Sequence, residues 1–470
     1  MRRPTLLFIA IGLTAAAGAK TFSERFEEIK QSAQPAEMYA FLYALPKGGD
    51  LHNHAGGSGL PEWWHAVATD PARNGGDVFY TRVKFGAKPD TGAPLVLYRT
   101  IRQYAYDRLA DEEKADYARL DRLTVEQRQG WLDSMRLDRP GEGRDEFFTW
   151  IWPRRGQLAQ NIQVCAEILV ENLKAFGAEG LRYLETQFNG LGYVANDGSP
   201  IPTEEALKFI ENRLARPDAA ASGVTVRFQE TVIRFLPNAE QQLEELYRFV
   251  DAHRSRWVGL NMAGIEENGH GYPRRFLEKY RELRRHYPAL PLSIHAGEMD
   301  GPDAHVRDTL LLGASRIGHG INLIKDPDTL LLLQQTRRVL VEINLISNRL
   351  LEYTPDLTKH PFPEYLRTGV PVCLNTDDRG MWDSNLTDEY YTAVTTFNLS
   401  WDELVQLGRN SLAYAFVQPE VKARLLADYE RDIAAFEARY LADDSLALLA
   451  AVKPVTYGYG RRTWGFEFKD

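Results

Sequence analysis

Four of the ten histidines in this 470-residue chain stand where chemistry, rather than packing, accounts for them. His52 and His54 form an H-x-H in the stretch LHNH. Alternate residues of an extended strand share a face, so both imidazoles would point the same way. His295 lies in SIHAGE, His319 in GHG, and Asp377 and Asp378 close NTDD. Three imidazoles (His52, His54, His295) with the Asp377 carboxylate make a nitrogen and oxygen donor set suited to zinc, with one position left for water. Zinc would lower the pKa of that water to about 7. Glu298 follows His295 by three residues and could shuttle protons beside the metal. His319 and Asp378 would hold and deprotonate the water. No Cys-x-x-Cys pair exists, which excludes a thiolate zinc site, and Cys165 and Cys373 read as two buried thiols. His65, His253, His270, His286, His305 and His360 lack the pattern and read as surface or structural residues.

These residues are far apart in sequence, so a fold must gather them. Each lies at the C-terminal end of a short apolar or β-rich run. The runs are Asp50–Ala55, Leu181–Phe188, Val224–Phe235, Val258–Gly264, Leu290–Gly297, Arg316–Asn322, Val339–Ser347 and Pro371–Asp378. They alternate with helical patterns such as Tyr272–His286 and Asp326–Arg337. Eight strands alternating with helices predict an α/β, TIM-like (β/α)8 barrel, whose active site lies at the C-terminal strand ends. Residues 21–46 read as a polar, amphipathic helical arm ending at Pro46. Residues 61–180 form a long connection after the first strand, rich in Trp, Tyr, Arg and Asp, with helical runs near 113–135 and 157–176. It reads as a helical insertion within one domain. Covering the active site and building a homodimer contact are the two roles open to it.

Composition bounds the partners. Lys plus Arg is 56 against 65 Asp plus Glu, a net charge of −9, so no basic excess exists for a nucleic-acid backbone. The H-x-E…P-C-x-x-C signature of nucleic-acid base deaminases is also absent. At the N-terminus Arg2 and Arg3 precede a short apolar run, Leu6 to Ala17, and an A-x-A site at Ala17-Gly18-Ala19. This predicts a cleaved export signal over 1–19, a mature single-domain chain over 20–470, a periplasmic or secreted location, and no stable membrane anchor after cleavage. The run is too short to span a bilayer comfortably.

On these motifs the sequence resembles the adenosine deaminase family of metal-dependent amidohydrolases. The matching stretches are PKGGDLHNH (46–54), VGLNMAG (258–264), SIHAGE (293–298), RIGHGINL (316–323), EINLISN (342–348) and LNTDD (374–378), extended by LTDEY (386–390) and RNSLAYAF (409–416). The export signal, arm and insertion look more like the secreted, growth-factor-related branch. The resemblance implies one zinc per chain on His52, His54, His295 and Asp377. It implies that Glu298 protonates the purine ring nitrogen, that His319 orients the water, and that Asp378 partners His319 and reaches the purine. The Gly264 amide would meet the purine ring. The implied reaction is hydrolytic deamination of adenosine, or a closely related aminopurine nucleoside, to inosine and ammonia. The alternatives are deamination of another aminopurine or nucleotide, and a catalytically weak secreted binding or signalling protein on the same fold. One departure stands out: the family commonly has Leu-Asp-Gly after the second histidine, its aspartate contacting the sugar, where this chain has Ala55, Gly56 and Gly57.

Overall fold

The computed structural model describes residues 20–86, 96–266, 271–301 and 304–468. The export signal expected over 1–19 and His270 lie outside them. Eight parallel strands run in chain order around one sheet. They are β1 (Gly48–His54), β2 (Leu181–Gln187), β3 (Thr225–Ile233), β4 (Trp257–Ala263), β5 (Leu292–Ala296), β6 (Arg316–His319), β7 (Leu340–Ile343) and β8 (Val372–Leu374). β4 to β8 are buried along their whole length, as strands covered by helices on the outside and packed side chains on the inside must be. The eight expected runs thus match eight strands, within a few residues at each end.

Closure of the barrel and placement of the site share the same atoms. β8 ends at Leu374, and the chain then turns back along β1. The His54 N–H donates to the Asp377 carbonyl (3.3 Å), and the Asp377 N–H donates to the His52 carbonyl (2.9 Å). Asn375 Oδ1 accepts from the Leu51 N–H at 2.9 Å. The expected eighth run therefore extends past its strand, and Asp377 and Asp378 sit on the closing turn. Asp377 takes a left-handed φ of 53°, and His319 one of 62°. Non-glycine residues pay about 1 kcal/mol or more for this backbone, a cost tolerated where it aims a side chain.

The arm is less polar than its sequence suggests. It forms two helices, Phe22–Ser32 and Pro35–Ala44. The second buries Met38, Tyr39, Phe41 and Leu42, and Phe26 and Phe41 join Trp401 and Phe436 in the main core. The insertion is helical, but it also carries a small antiparallel sheet of Phe79–Arg82, Thr100–Arg102 and Tyr117–Arg119. Its longest helix, Ile162–Ala178, starts at Asn161, whose side chain accepts from the Gln163 and Val164 N–H groups. Cys165 and Cys373 are both free, and Cys165 is only partly buried. Among the described residues no helix is long and apolar enough to cross a membrane.

Candidate metal centre and active site

All the candidate side chains meet at the C-terminal end of the barrel. His52, His295, His319 and Asp377 each bring one ligand atom within 4.8 Å of the others, and so do His54, Asp377 and Asp378. Asp377 belongs to both groups. Its Oδ1 lies 3.1 Å from His54 Nε2 and 3.6 Å from His52 Nε2, and its Oδ2 lies 3.9 Å from His319 Nε2. The His52 and His295 rings are 4.4 Å apart between centroids. β6 can approach this closely because Gly318, opposite His295 in the ladder, has no side chain: a Cβ there would lie 2.6 Å from His52 Cε1.

Hydrogen bonds behind the imidazoles set which nitrogen is free. His52 Nδ1 donates to Glu342 Oε2 (2.8 Å), which leaves Nε2 with its lone pair and no partner although buried. His295 Nδ1 donates to Asn261 Oδ1 (2.9 Å), so its Nε2 is also free. This is the pattern of metal-binding histidines, each held by an outer partner. The buried groups that could hold a metal ion are His52, His295, His319 and Asp377, with His54, Asp377 and Asp378 beside them; the donor set expected from sequence takes His54 in place of His319. His319 differs. Its Nδ1 accepts from the Asn348 side-chain amide at 2.9 Å, so the neutral ring carries its proton on Nε2, toward Asp377 and toward Glu298 Oε2 at 3.7 Å. An N–H cannot be a metal ligand.

The outer partners are themselves buried and paired. Glu342 also accepts from Ser293 Oγ (2.9 Å) and from Arg316 Nε (2.6 Å), and Arg316 bridges on to Glu185. Burial would raise the Glu342 carboxyl, but Arg316 and His52 outweigh it and hold it down. Glu266 accepts from the backbone N–H groups of Gly297 (2.9 Å) and Glu298 (3.1 Å) and from His305 Nδ1 (2.7 Å). Burial would raise Glu266, yet the His305 bond and Arg234 keep it at about 2. It thereby fixes the turn that aims Glu298. Glu298 has the opposite balance: burial first, then the charges of Asp377 and Glu266, push its carboxyl well up, toward the protonated form. Within the adjacent pair, burial would raise Asp377, but His54 and the other imidazoles hold it down as the anion, while burial and Asp377 push Asp378 up.

These groups face a cavity of about 250 Å³. Its other walls are Phe147, Phe148 and Trp152 from the insertion and Ile233, Phe235, Ala263 and Gly264 from the β3 and β4 ends. The insertion therefore covers the site. The cavity combines aromatic and apolar walls with imidazole and carboxyl groups.

A family model described as adenosine deaminase matches residues 146–431, more than half of the chain. The chain belongs to the adenosine deaminase family. The matched stretch begins after His52 and His54, so their arrival at the same site is a separate structural observation. The adenosine deaminase of Enterococcus faecalis is 36% identical over 187 residues, which cover 40% of this chain and 54% of that protein. The chain thus spans about half the length of this relative. The adenine deaminase of Arthrobacter aurescens superposes with a TM-score of 0.59 at 21% identity, over 83% of this chain and 99% of that one. An amidohydrolase of Burkholderia ambifaria, with bound Zn, superposes with a TM-score of 0.57 at 20% identity, over 91% of this chain and 98% of that one. These two likenesses concern the barrel fold.

The candidate residues named from sequence all reach the site. Reasoning from sequence missed Glu342, Asn261, Glu266 and Asn348, which orient them; covering the site was one of the two roles open to the insertion, and Phe147, Phe148 and Trp152 are the side chains that do it. Glu342 and Asn348 both lie within EINLISN, and Glu342 sits inside a strand, where a lone charge must find a partner to be buried.

Proposed function

We propose that this chain is a metal-dependent hydrolase that deaminates adenosine or a closely related aminopurine. The observation that carries the reading is the convergence of His52, His295, His319 and Asp377, with His54 and Asp378 against Asp377, beside Glu298 in an aromatic-walled cavity. His52, His54, His295 and Asp377 would hold one zinc, which supplies a water acidic enough to attack carbon near neutral pH. His319 offers its Nε2–H to orient that water, and Asp378 stands beside Asp377 as a second carboxyl for the proton. Glu298 can give its proton to the ring nitrogen next to the attacked carbon, so that the ring accepts electrons, and the amino group leaves as ammonia on taking up the proton that the water gave to Asp378. The Gly264 backbone and the Phe147, Phe148 and Trp152 rings would hold the purine plane. Because the relatives' names include both adenosine and adenine deaminases, the group attached to the base is a separate question.

The test is ammonia release by the zinc-loaded protein from adenosine, deoxyadenosine, adenine and AMP. Turnover of at least one is expected, with loss on chelation. No release from any of them by protein carrying stoichiometric zinc would overturn the reading. We further infer from the N-terminal signal, the arm and the insertion that the protein is exported and stands with the growth-factor-related branch.

A further inference from the structure

A second cavity of about 210 Å³ adjoins the first, sharing His54, Trp152 and Ile233 with it. It holds Arg155, from the insertion helix Trp152–Arg155, which is 7% exposed. The guanidinium stacks over the Trp152 ring, 4.0 Å from its centroid. Its Nε and Nη1 are buried without a hydrogen-bond partner, and it forms no ion pair among the described residues. Burial pulls its pKa down to about 10, opposed by the Asp378 carboxyl, which acts on it through space without a hydrogen bond, so it remains charged at neutral pH. A buried, unpaired cation is costly and finds compensation in an anion. Gly56 is the complement to this side chain. A Cβ at position 56 would run into the Arg155 guanidinium. At this position the family resemblance expects an aspartate touching the sugar. Here the acid is missing and a cation from another segment stands beside the vacated space, so the charge of the subsite is reversed.

We propose that the second cavity receives the substituent carried by the purine, and that Arg155 binds an anionic group on it, phosphate or carboxylate. The planar fork of a guanidinium matches either anion with two parallel N–H bonds. Gln187, Asn189 and Thr231 line the same cavity and suit the hydroxyls of an intervening sugar. The substrate class is then an aminopurine with an anionic arm, such as a nucleoside 5′-monophosphate, in preference to the neutral nucleoside. This rests on the first cavity being the purine-deaminating site.

The experiment compares zinc-loaded wild type with Arg155→Gln and Arg155→Lys. It measures kcat/KM for adenosine, AMP and adenosine 5′-carboxylate, and calorimetric affinity for inosine and inosine 5′-monophosphate. Charged hydrogen bonds of this kind correspond to a preference of about ten- to hundredfold for anionic over neutral ligands. Arg155→Gln should collapse that ratio toward unity, and Arg155→Lys should keep part of it, which separates loss of charge from loss of fold. The relative gains of AMP and the carboxylate show which anion the pocket was shaped for. Deamination of adenosine with no anion preference, or a preference untouched by Arg155→Gln, overturns the proposal and leaves the deaminase reading intact. Arg155-dependent binding of inosine 5′-monophosphate without any turnover does the reverse. If no aminopurine is turned over and neither product binds, both fall.

Discussion

His360 Nε2 lies 3.0 Å from Asn348 Oδ1, and through that contact a backbone amide of the following helix sets the proton position of His319. The Phe362 N–H donates to His360 Nδ1 at 3.1 Å. A backbone N–H can only donate, so His360 carries its own proton on Nε2. Burial pushes the His360 pKa down to about 3, which keeps the ring neutral. Its Nε2–H then requires an oxygen, and this turns the Asn348 amide so that its NH₂ faces His319 Nδ1. His360, read from sequence as surface or structural, is a positioning residue one step removed from the site.

Breaking this chain should alter proton placement and not metal binding. In His360→Leu the Asn348 amide is free to turn its oxygen to His319, moving the proton to Nδ1. Turnover should fall by about 10- to 100-fold, a part of the usual worth of acid–base catalysis. KM and zinc content should hold. Nitrogen-15 NMR of labelled histidine should show the His319 tautomer change, and His360→Gln should recover much of the loss. Unchanged turnover with an unchanged tautomer would show that His319 is set by other contacts.

Removing a ligand should remove the metal. His295→Ala should abolish zinc binding and activity together, and wild type should carry about one zinc per chain. Chelation should lower the melting temperature, since metal binds only the folded site. Full activity in protein stripped of all divalent metal would exclude the assigned donor set.

Glu298 should behave differently from a ligand. Glu298→Gln keeps the shape and removes the titrating proton. Zinc should stay while turnover drops by roughly 10²–10⁴-fold. Loss of zinc with activity would make Glu298 a ligand.

Export is tested at the protein's end. The mature chain should begin at or near Lys20, as read by N-terminal sequencing of protein recovered outside the cytoplasm. Soluble cytosolic protein that retains Met1 would rule out the signal.

The barrel was legible because parallel strands buried on both faces read as short apolar runs, and the candidate site residues were legible because they end those runs. Asp377 shows where this reasoning stops. Its place beside His54 depends on a left-handed backbone and on hydrogen bonds to β1, more than 300 residues earlier in the chain. The outer shell was hidden for a related reason. Glu342, Asn261 and Glu266 occur singly, without periodicity, and acquire meaning only from partners brought in by the fold. Arg155 was the least legible, since an arginine in a polar insertion ordinarily points to solvent. The empty position at Gly56 was visible in the sequence, but what stands beside it was not.

A buried carboxyl outside the candidate site residues gives the protein a pH-dependent stability of its own. Glu230, on β3, is 1% exposed and accepts from the Gly190 N–H. Burial, opposed by the Gly190 and Trp257 hydrogen bonds, raises its pKa to about 8 from an ordinary 4.5. Between those two values the folded chain holds a proton that the unfolded chain has lost. The folded state then binds more protons, so unfolding free energy falls as pH rises. The contribution is complete below about pH 4.5 and is lost as pH passes 8. By linkage the swing amounts to about 4 kcal/mol over that window. Glu230→Gln keeps an acceptor for Gly190 and cannot ionise. Urea unfolding of wild type and variant from pH 5 to 9 should give similar stabilities at pH 5 and a growing advantage for the variant toward pH 9. Parallel curves across the range would mean that Glu230 titrates alike in both states, and that its burial is relieved by water or by a shift of the loop that carries Gly190.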